Sequence, residues 1–250
     1  MLVADIGNTR IKWGLCGAAA VERAVSLPDD SDSWRRQLDG WHIDKPERWV
    51  LAGVVPARRD KLADWLRQLG HHVEVITHFS QVPLSIIVDM PETVGIDRLL
   101  NALAAKSELT RGVPAVVVDV GSAVTVDLVN SDGAFVGGSI FPGLRLMAEA
   151  LHDFTAQLPL VKASEYPTNV PARSTVTAIA AGIHWAVVGG VMALARELNL
   201  SAPSPDSLDV FITGGDASAI APDLMDRQLY RYHVAPLLTL EGIRLTALVK

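Results

Sequence analysis

Two stretches of the chain pair an aspartate with a glycine turn in the same order. Residues 3–12 read VADIGNTRIK and residues 117–126 read VVDVGSAVTV. In both, an apolar run ends in aspartate, followed by a hydrophobic residue, a glycine and residues with small side chains. Such a glycine lets backbone amides approach an anion closely. A hairpin with an Asx-turn would explain one copy. The repetition instead favours two similar domains, each offering an aspartate and a tight turn to a ligand held between them.

The first copy adds a cation. Lys12 is predicted to lie across the hairpin and to reach a phosphate as a point charge. Asn8 and Thr9 add side-chain donors. Asp5 at the end of a strand is predicted to hold Mg²⁺, directly or through water, because Mg²⁺ takes one or two carboxylates plus phosphate oxygens.

The second copy supplies a carboxylate and hydroxyls. Asp119, Ser122, Thr125 and Asp127 together are predicted to hold a cation and the other side of a phosphate tail. A third glycine turn, at residues 214–215, either flanks a nucleotide or is an ordinary helix entry. The chain has neither a Walker A motif nor a Gly-x-Gly-x-x-Gly fingerprint, so an ATP site would have to use the two-domain arrangement.

A fourth candidate group lies at the start of a predicted helix, in Gly95-Ile96-Asp97-Arg98. An aspartate in a first helical turn complements the helix dipole, and the arginine beside it can be a surface residue. Alternatively, Asp97 accepts a proton from a substrate hydroxyl while Arg98 binds a carboxylate. The pattern alone leaves both interpretations open.

The elements that would position these residues follow from the hydrophobic pattern. Three strands followed by alternating helix and strand occur twice. This predicts an α/β fold of two ribonuclease-H-like (actin-like) domains, with mixed sheets around a central cleft. The expected domains are residues 1–112 and 113–250. The predicted helices include residues 92–109, 174–199 and 236–249.

Composition narrows the class of protein. There are 22 basic and 28 acidic residues, a net charge of −6, which argues against a nucleic-acid partner. Cys16 is the only cysteine, so an intrachain disulfide and a multi-cysteine metal site are excluded. No signal peptide and no uninterrupted apolar stretch of about 20 residues is visible, so we expect a cytoplasmic protein without a membrane partner.

Taken together, these motifs resemble the type III pantothenate kinases, of the acetate kinase, sugar kinase, Hsp70 and actin superfamily. The resemblance covers essentially the whole chain. It lies in the following motifs: Asp5-Ile6-Gly7-Asn8-Thr9 with Lys12, Gly95-Ile96-Asp97-Arg98, Asp119-Val120-Gly121-Ser122-Ala123, Gly137-Gly138-Ser139-Ile140-Phe141-Pro142-Gly143, and Thr175 with Gly182.

The resemblance implies ATP-dependent phosphorylation of the primary hydroxyl of pantothenate, the first step towards coenzyme A, by a homodimer. Asp97 would be the general base. Pantothenate would contact Gly95, Ile96, Arg98 and Thr175. The resemblance also implies an ATP site made of Asp5, Ile6, Gly7, Asn8, Thr9, Arg10, Ile11, Lys12 and Ser122. Asp119 would hold a monovalent cation, K⁺ or NH₄⁺.

Two positions depart from the family pattern. Ser122 replaces a threonine and keeps its hydroxyl. Val88 replaces a tyrosine that contacts substrate, which removes a polar contact. The alternatives are a kinase of a different small alcohol, a non-catalytic nucleotide-binding regulator of the same family, and a ribonuclease-H-like nuclease. Retention of Asp97 and Arg98 argues against the regulator, and the negative net charge disfavours the nuclease.

Overall fold

The structure is a computed structural model that describes residues 1–109, 112–162, 168–200, 208–227 and 229–249. Its strands are β1 (Leu2–Ile6), β2 (Ile11–Cys16), β3 (Val21–Leu27), β4 (Arg48–Gly53), β5 (His72–Ile76), β6 (Ser85–Ile86), β7 (Ala115–Val120), β8 (Ala123–Val129), β9 (Ala134–Pro142), β10 (Asp209–Thr213) and β11 (Arg231–Val234). Its α-helices are α1 (Ser31–Gly40), α2 (Pro56–Gln68), α3 (Ile96–Glu108), α4 (Leu144–Asp153), α5 (Thr175–Leu200), α6 (Ala217–Met225) and α7 (Leu238–Leu248).

The chain divides into two compact units, one made of Met1–Glu108 with Leu237–Lys250 and the other of Leu109–Pro236. Each contains a mixed sheet with the same strand order. In the first unit the order is β3-β2-β1-β4-β5, with β1 antiparallel to β2 and parallel to β4. In the second it is β9-β8-β7-β10-β11, with β7 antiparallel to β8 and parallel to β10. The predicted duplication of a mixed α/β sheet is therefore confirmed.

Along β1 and β2, successive side chains point to opposite faces of the first sheet. Ala4 pairs with Trp13 on the face that packs on α1 and α2, where Trp13 is fully buried beside Trp49 at a ring distance of 4.8 Å. Asp5 pairs with Lys12 on the other face. Helices α3 and α7 of the first unit pack on that second face. The tryptophan core thus keeps the Asp5–Lys12 pair on the face that carries α3.

Helix α7 returns the chain to the first unit and packs along α3. A Cβ on Gly242 would collide with the carbonyl oxygen of Leu100, so the two helices touch through their backbones at this point. Next to it, the buried Thr239 hydroxyl donates to Asn101 Oδ1 over 2.8 Å. The predicted domains differ from the observed units here. The prediction assigned residues 237–250 to the second domain because they follow it along the chain. Only their packing against α3 shows that they belong to the first unit.

Helix α3 begins later than predicted. The expected helix started at residue 92, whereas Pro91–Thr93 forms a separate 3₁₀ turn and α3 starts at Ile96. Gly95 immediately precedes the helix, and its carbonyl accepts the amide of Arg98 over 3.1 Å. This start places Asp97 in the first turn.

The core of the second unit lies on the face of its sheet opposite Asp119, which is equivalent to the tryptophan face of the first unit. Val116, Val118 and Val120 from β7 pack with α5 and α6 in one apolar cluster. By length and composition, residues 175–199 of α5 could span a membrane, but half of the most apolar stretch of this helix is buried inside the protein. A core helix has the same properties, and α5 packs as one.

We predict that Gly242→Ala destabilises the protein by about 1–3 kcal/mol, because the added methyl group overpacks the α3–α7 contact. Denaturant unfolding followed by circular dichroism measures this change. Gly189→Ala is the matched control, since Gly189 also lies within a helix and a Cβ there meets nothing within 4 Å. We expect the control to be neutral or slightly stabilising. Equal stability of the two variants would contradict the predicted role of the contact.

Candidate active site

The turn between β1 and β2 is the predicted phosphate-binding segment. The Gly7 amide donates to the Arg10 carbonyl over 3.1 Å and closes the turn, and Asn8, Thr9 and Arg10 are exposed. Ile6 and Ile11, which flank the turn, are fully buried. Their side chains anchor it in the core, so these two residues can contact a ligand only through their backbone.

Arg58, near the start of α2, binds this turn through two backbone carbonyl oxygens. Its Nη1 donates to the carbonyl oxygens of Gly7 over 2.6 Å and of Asn8 over 2.7 Å, and its Nε donates to Asp29 Oδ2 over 3.0 Å. Lys61 also binds Asp29, over 3.1 Å. Sequence analysis missed Arg58 because it lies far from the turn along the chain and forms no motif with it.

The proposed base lies in the same unit as this turn. Asp97 Oδ1 accepts the backbone amide of Arg98 over 2.9 Å. A Cβ on Gly95 would lie 2.6 Å from that same oxygen, so a glycine leaves room for the carboxylate. The side chain of Ile96 is buried and belongs to the packing of α3.

Burial raises the pKa of Asp97 above its ordinary value of 3.8. The Arg98 amide and the Arg98 charge oppose this shift, because both favour the charged carboxylate. A carboxyl group with a raised pKa is a better proton acceptor than an ordinary aspartate once it is ionised. The environment therefore suits a general base.

In the second unit, Asp119 ends β7 beside two glycine turns. A Cβ on Gly214, whose φ is +102°, would lie 2.6 Å from Asp119 Oδ1 and would also collide with Val120. A Cβ on Gly143 would collide with the Gly121 carbonyl, and the Gly143 amide donates to the Ser122 carbonyl over 3.0 Å. The predicted turn at residues 121–122 and the third glycine turn are therefore brought together.

This packing also places two helix starts at the same strand end. Gly143 precedes α4, and Asp216, which follows Gly214 and Gly215, precedes α6. Neither residue caps its helix with a side-chain hydrogen bond. Burial raises the pKa of Asp216, and the charge of Arg145 in α4 opposes that rise. The N-terminus of a helix carries a partial positive charge, which is suited to phosphate groups.

Threonine hydroxyl groups that could bind a cation lie on both sides of Asp119, on the same face of the sheet. Thr125 is its partner on β8 and Thr213 its partner on β10. The Thr213 hydroxyl is buried and has no hydrogen-bond partner among the described residues. A carboxylate beside two hydroxyls fits a hard cation, which prefers oxygen ligands. Across the described ranges, no group of three His, Cys, Asp or Glu side chains could hold a metal ion.

Thr175, the predicted substrate contact of the second unit, is the first residue of α5 and is exposed. The preceding Ser174 fixes the start of this helix, because its Oγ accepts the Thr177 amide over 3.2 Å. Asp127 of the second copy is fully buried, unlike Ala123 and Thr125 nearer the start of β8, which are only partly buried.

Solved structures of other proteins share the fold of this chain. The chain aligns over 99% of its length with a 2-dehydro-3-deoxygalactonokinase protein from Sinorhizobium meliloti, described as putative (TM-score 0.60, 10% identity, 98% of that chain). It also aligns over 99% with the ADPNP-bound activator of the 2-hydroxyisocaproyl-CoA dehydratase from Clostridium difficile (TM-score 0.56, 14% identity, 93% of that chain). A third match is MreB 5 of Spiroplasma citri bound to AMPPNP (TM-score 0.50, 11% identity, 99% of this chain and 96% of that one). The chain therefore shares the fold of these solved structures.

Sequence comparison then gives the family. Residues 1–197 match the family description "Type III pantothenate kinase". The type III pantothenate kinase of Acidiphilium cryptum is 39% identical over 99% of this chain and 94% of its own length. That of Moorella thermoacetica is 33% identical over 98% of this chain and 97% of its own. The chain belongs to the type III pantothenate kinase family and is a kinase.

We predict that Arg98→Gln raises the pKa of Asp97 further, because the guanidinium charge that favours the ionised carboxylate is lost while burial remains. Carboxyl ¹³C chemical shifts followed across a pH titration report this value directly. Lys106→Gln, in the last turn of the same helix, removes an equal charge at the other end and serves as the control. An unchanged or lowered pKa in Arg98→Gln would contradict the proposed electrostatics.

Proposed function

We propose that this chain transfers the γ-phosphoryl group of ATP to the primary hydroxyl of pantothenate, giving 4′-phosphopantothenate and ADP in the first step of coenzyme A biosynthesis. Family membership over nearly the whole chain carries this proposal. The raised pKa of Asp97, at a helix start whose preceding glycine leaves room for the carboxylate, supports it from the structure.

The Asp5 turn is proposed to hold the phosphate groups of ATP. Its exposed residues, 8–10, present amides and side-chain donors, while Lys12 lies opposite Asp5 on the neighbouring strand. A lysine and a set of amides can neutralise the charge on a transferring phosphoryl group, which is the main catalytic demand of this chemistry. Ser122, in the other glycine turn, is proposed as a further ATP contact.

Asp97 is proposed as the general base. The substrate hydroxyl attacks the γ-phosphorus as its proton passes to the Asp97 carboxylate. The new oxygen–phosphorus bond forms, the bond to the ADP oxygen breaks, and ADP leaves. Gly95, Ile96, Arg98 and Thr175 are proposed to contact pantothenate, with the Arg98 guanidinium matched to its carboxylate.

Two cations are proposed with ATP. Asp5 would hold Mg²⁺, directly or through water, and the ion would offset the negative charge of the phosphate groups. Asp119 would hold a monovalent cation, K⁺ or NH₄⁺, and its neighbours Thr125 and Thr213 offer the additional oxygen atoms that such an ion needs.

The setting in the cell is part of the same proposal. We infer a homodimer in the cytoplasm, without nucleic-acid or membrane partners. The net charge of −6 and the packing of the apolar helix α5 within the second unit support the last two points.

We predict that Asp97→Asn lowers kcat by about 10²–10⁴, the usual contribution of a positioned base, because an amide cannot take the hydroxyl proton. Affinity for ATP should stay near that of the unmodified protein. Coupled ADP release with pantothenate measures turnover, and calorimetry measures ATP binding. Asp64→Asn, on the exposed surface of α2, should keep full activity.

Near-normal turnover by Asp97→Asn would remove the proposed base. The same assay separates pantothenate from other acceptors. Phosphorylation of a different alcohol without phosphorylation of pantothenate would support the kinase with a different substrate, and ATP binding without any ADP release would support the regulator.

A further prediction concerns the ion. Turnover should be higher in K⁺ or NH₄⁺ than in Na⁺, and Asp119→Asn should abolish that difference by removing the charged ligand. Initial rates in matched chloride salts measure the effect, with Asp132→Asn, in the exposed turn between β8 and β9, as the control. A protein indifferent to the ion would contradict the role of Asp119.

A further inference from the structure

The side chain of Arg58 binds two peptide groups of the phosphate turn from one side. Arg58 Nη1 donates to both the Gly7 and the Asn8 carbonyl oxygens, over 2.6 and 2.7 Å. In a trans peptide the carbonyl and the following N–H point in opposite directions. Fixing these two carbonyls therefore fixes the directions of the Asn8 and Thr9 amides, which point away from Arg58.

The orientation of these two peptides decides which group the turn presents to a phosphate. Asn8 and Thr9 are solvent-exposed, and the hydrogen bond that closes the turn, from Gly7 to Arg10, does not use the carbonyls bound by Arg58. A rotated peptide would present its carbonyl oxygen, and so a partial negative charge, to an incoming phosphate. Arg58 opposes such a rotation with two charge-assisted hydrogen bonds, which are stronger than neutral ones.

Arg58 itself is held in place by the fold. Gly53 at the end of β4 pairs with Ile6, and a Cβ on it would lie 2.5 Å from the Ile6 carbonyl oxygen. This close approach brings the start of α2 beside the end of β1. Asp29 then accepts Arg58 Nε over 3.0 Å and fixes the plane of the guanidinium group.

We propose that Arg58 is a positioning residue for ATP, which orients the Asn8 and Thr9 amides towards the phosphates by binding the carbonyls behind them. The inference rests on the proposed role of this turn in ATP binding. It predicts that loss of Arg58 weakens the binding of ATP but not of pantothenate, since Arg58 contacts the turn and not the acceptor.

The test measures binding of a non-hydrolysable ATP analogue by calorimetry, together with the KM values for ATP and for pantothenate. Arg58→Ala should weaken analogue binding and raise the KM for ATP by about 10-fold or more, because both charge-assisted hydrogen bonds to the turn are lost. The KM for pantothenate should change by less than about twofold, as for a remote surface substitution. A variant that was merely partly unfolded would lose kcat at unchanged KM.

Two further variants isolate the mechanism. Lys61→Ala removes a neighbouring cation of α2 that binds the same Asp29 but not the turn, and it should behave like the unmodified protein. Arg58→Lys keeps the charge but lacks the planar fork, so it should recover only part of the affinity.

Unchanged analogue binding by Arg58→Ala would overturn the inference, as would full recovery by Arg58→Lys, which would show that charge alone matters. If the unmodified protein binds the analogue but does not phosphorylate pantothenate, the proposed function fails while the binding comparison still decides the role of Arg58. If it does not bind the analogue, both are overturned.

Discussion

The backbone contact between α3 and α7 is the constraint on which the first unit depends. Helix α3 carries Asp97 at its start, and its position on the sheet is set by a neighbour that approaches closely enough to exclude even a methyl group at Gly242. Buried apolar residues line α3 along most of its length, and the Thr239–Asn101 hydrogen bond fixes the register of the two helices. The proposed base thus owes its position to packing rather than to any contact of its own with the sheet.

The two copies of the aspartate–glycine turn have the same place in equivalent sheets but different surroundings. The first is exposed and is held by an arginine from a neighbouring helix. The second is packed closely by Gly143 and Gly214, with the Thr125 and Thr213 side chains beside Asp119. An exposed turn with polar side chains suits a group that must bind and dissociate at each turnover. A carboxylate with hydroxyl neighbours suits the cation that is proposed for Asp119.

Much of this arrangement could be predicted from the sequence, because it depends on local patterns. Alternation along β1 and β2, and the repeat that contains Asp5 and Asp119, predict both sheets and their equivalent strand ends. The resemblance to a known family singled out Asp97 and Arg98, whose pattern alone was ambiguous. The helix α7 was predicted, at residues 236–249, but its return to the first unit and the role of Arg58 could not be predicted in this way. Each acts on residues distant in the chain, and neither has a sequence signal beyond an ordinary helix. The short edge strand β11 was missed as well, since its four residues, RYHV, carry little apolar pattern.

The return of α7 to the first unit also has a consequence for synthesis. A ribosome makes residues 1–108 early, but the helix that packs on α3 emerges only after all of residues 109–236. Domains generally fold as units while the chain is being made. In this protein, one face of α3 stays uncovered in the nascent chain at a time when the second unit already has every residue it needs. Folding order is therefore expected to run against chain order. A polypeptide released before α7 is made would contain Asp97 without the helix that positions it.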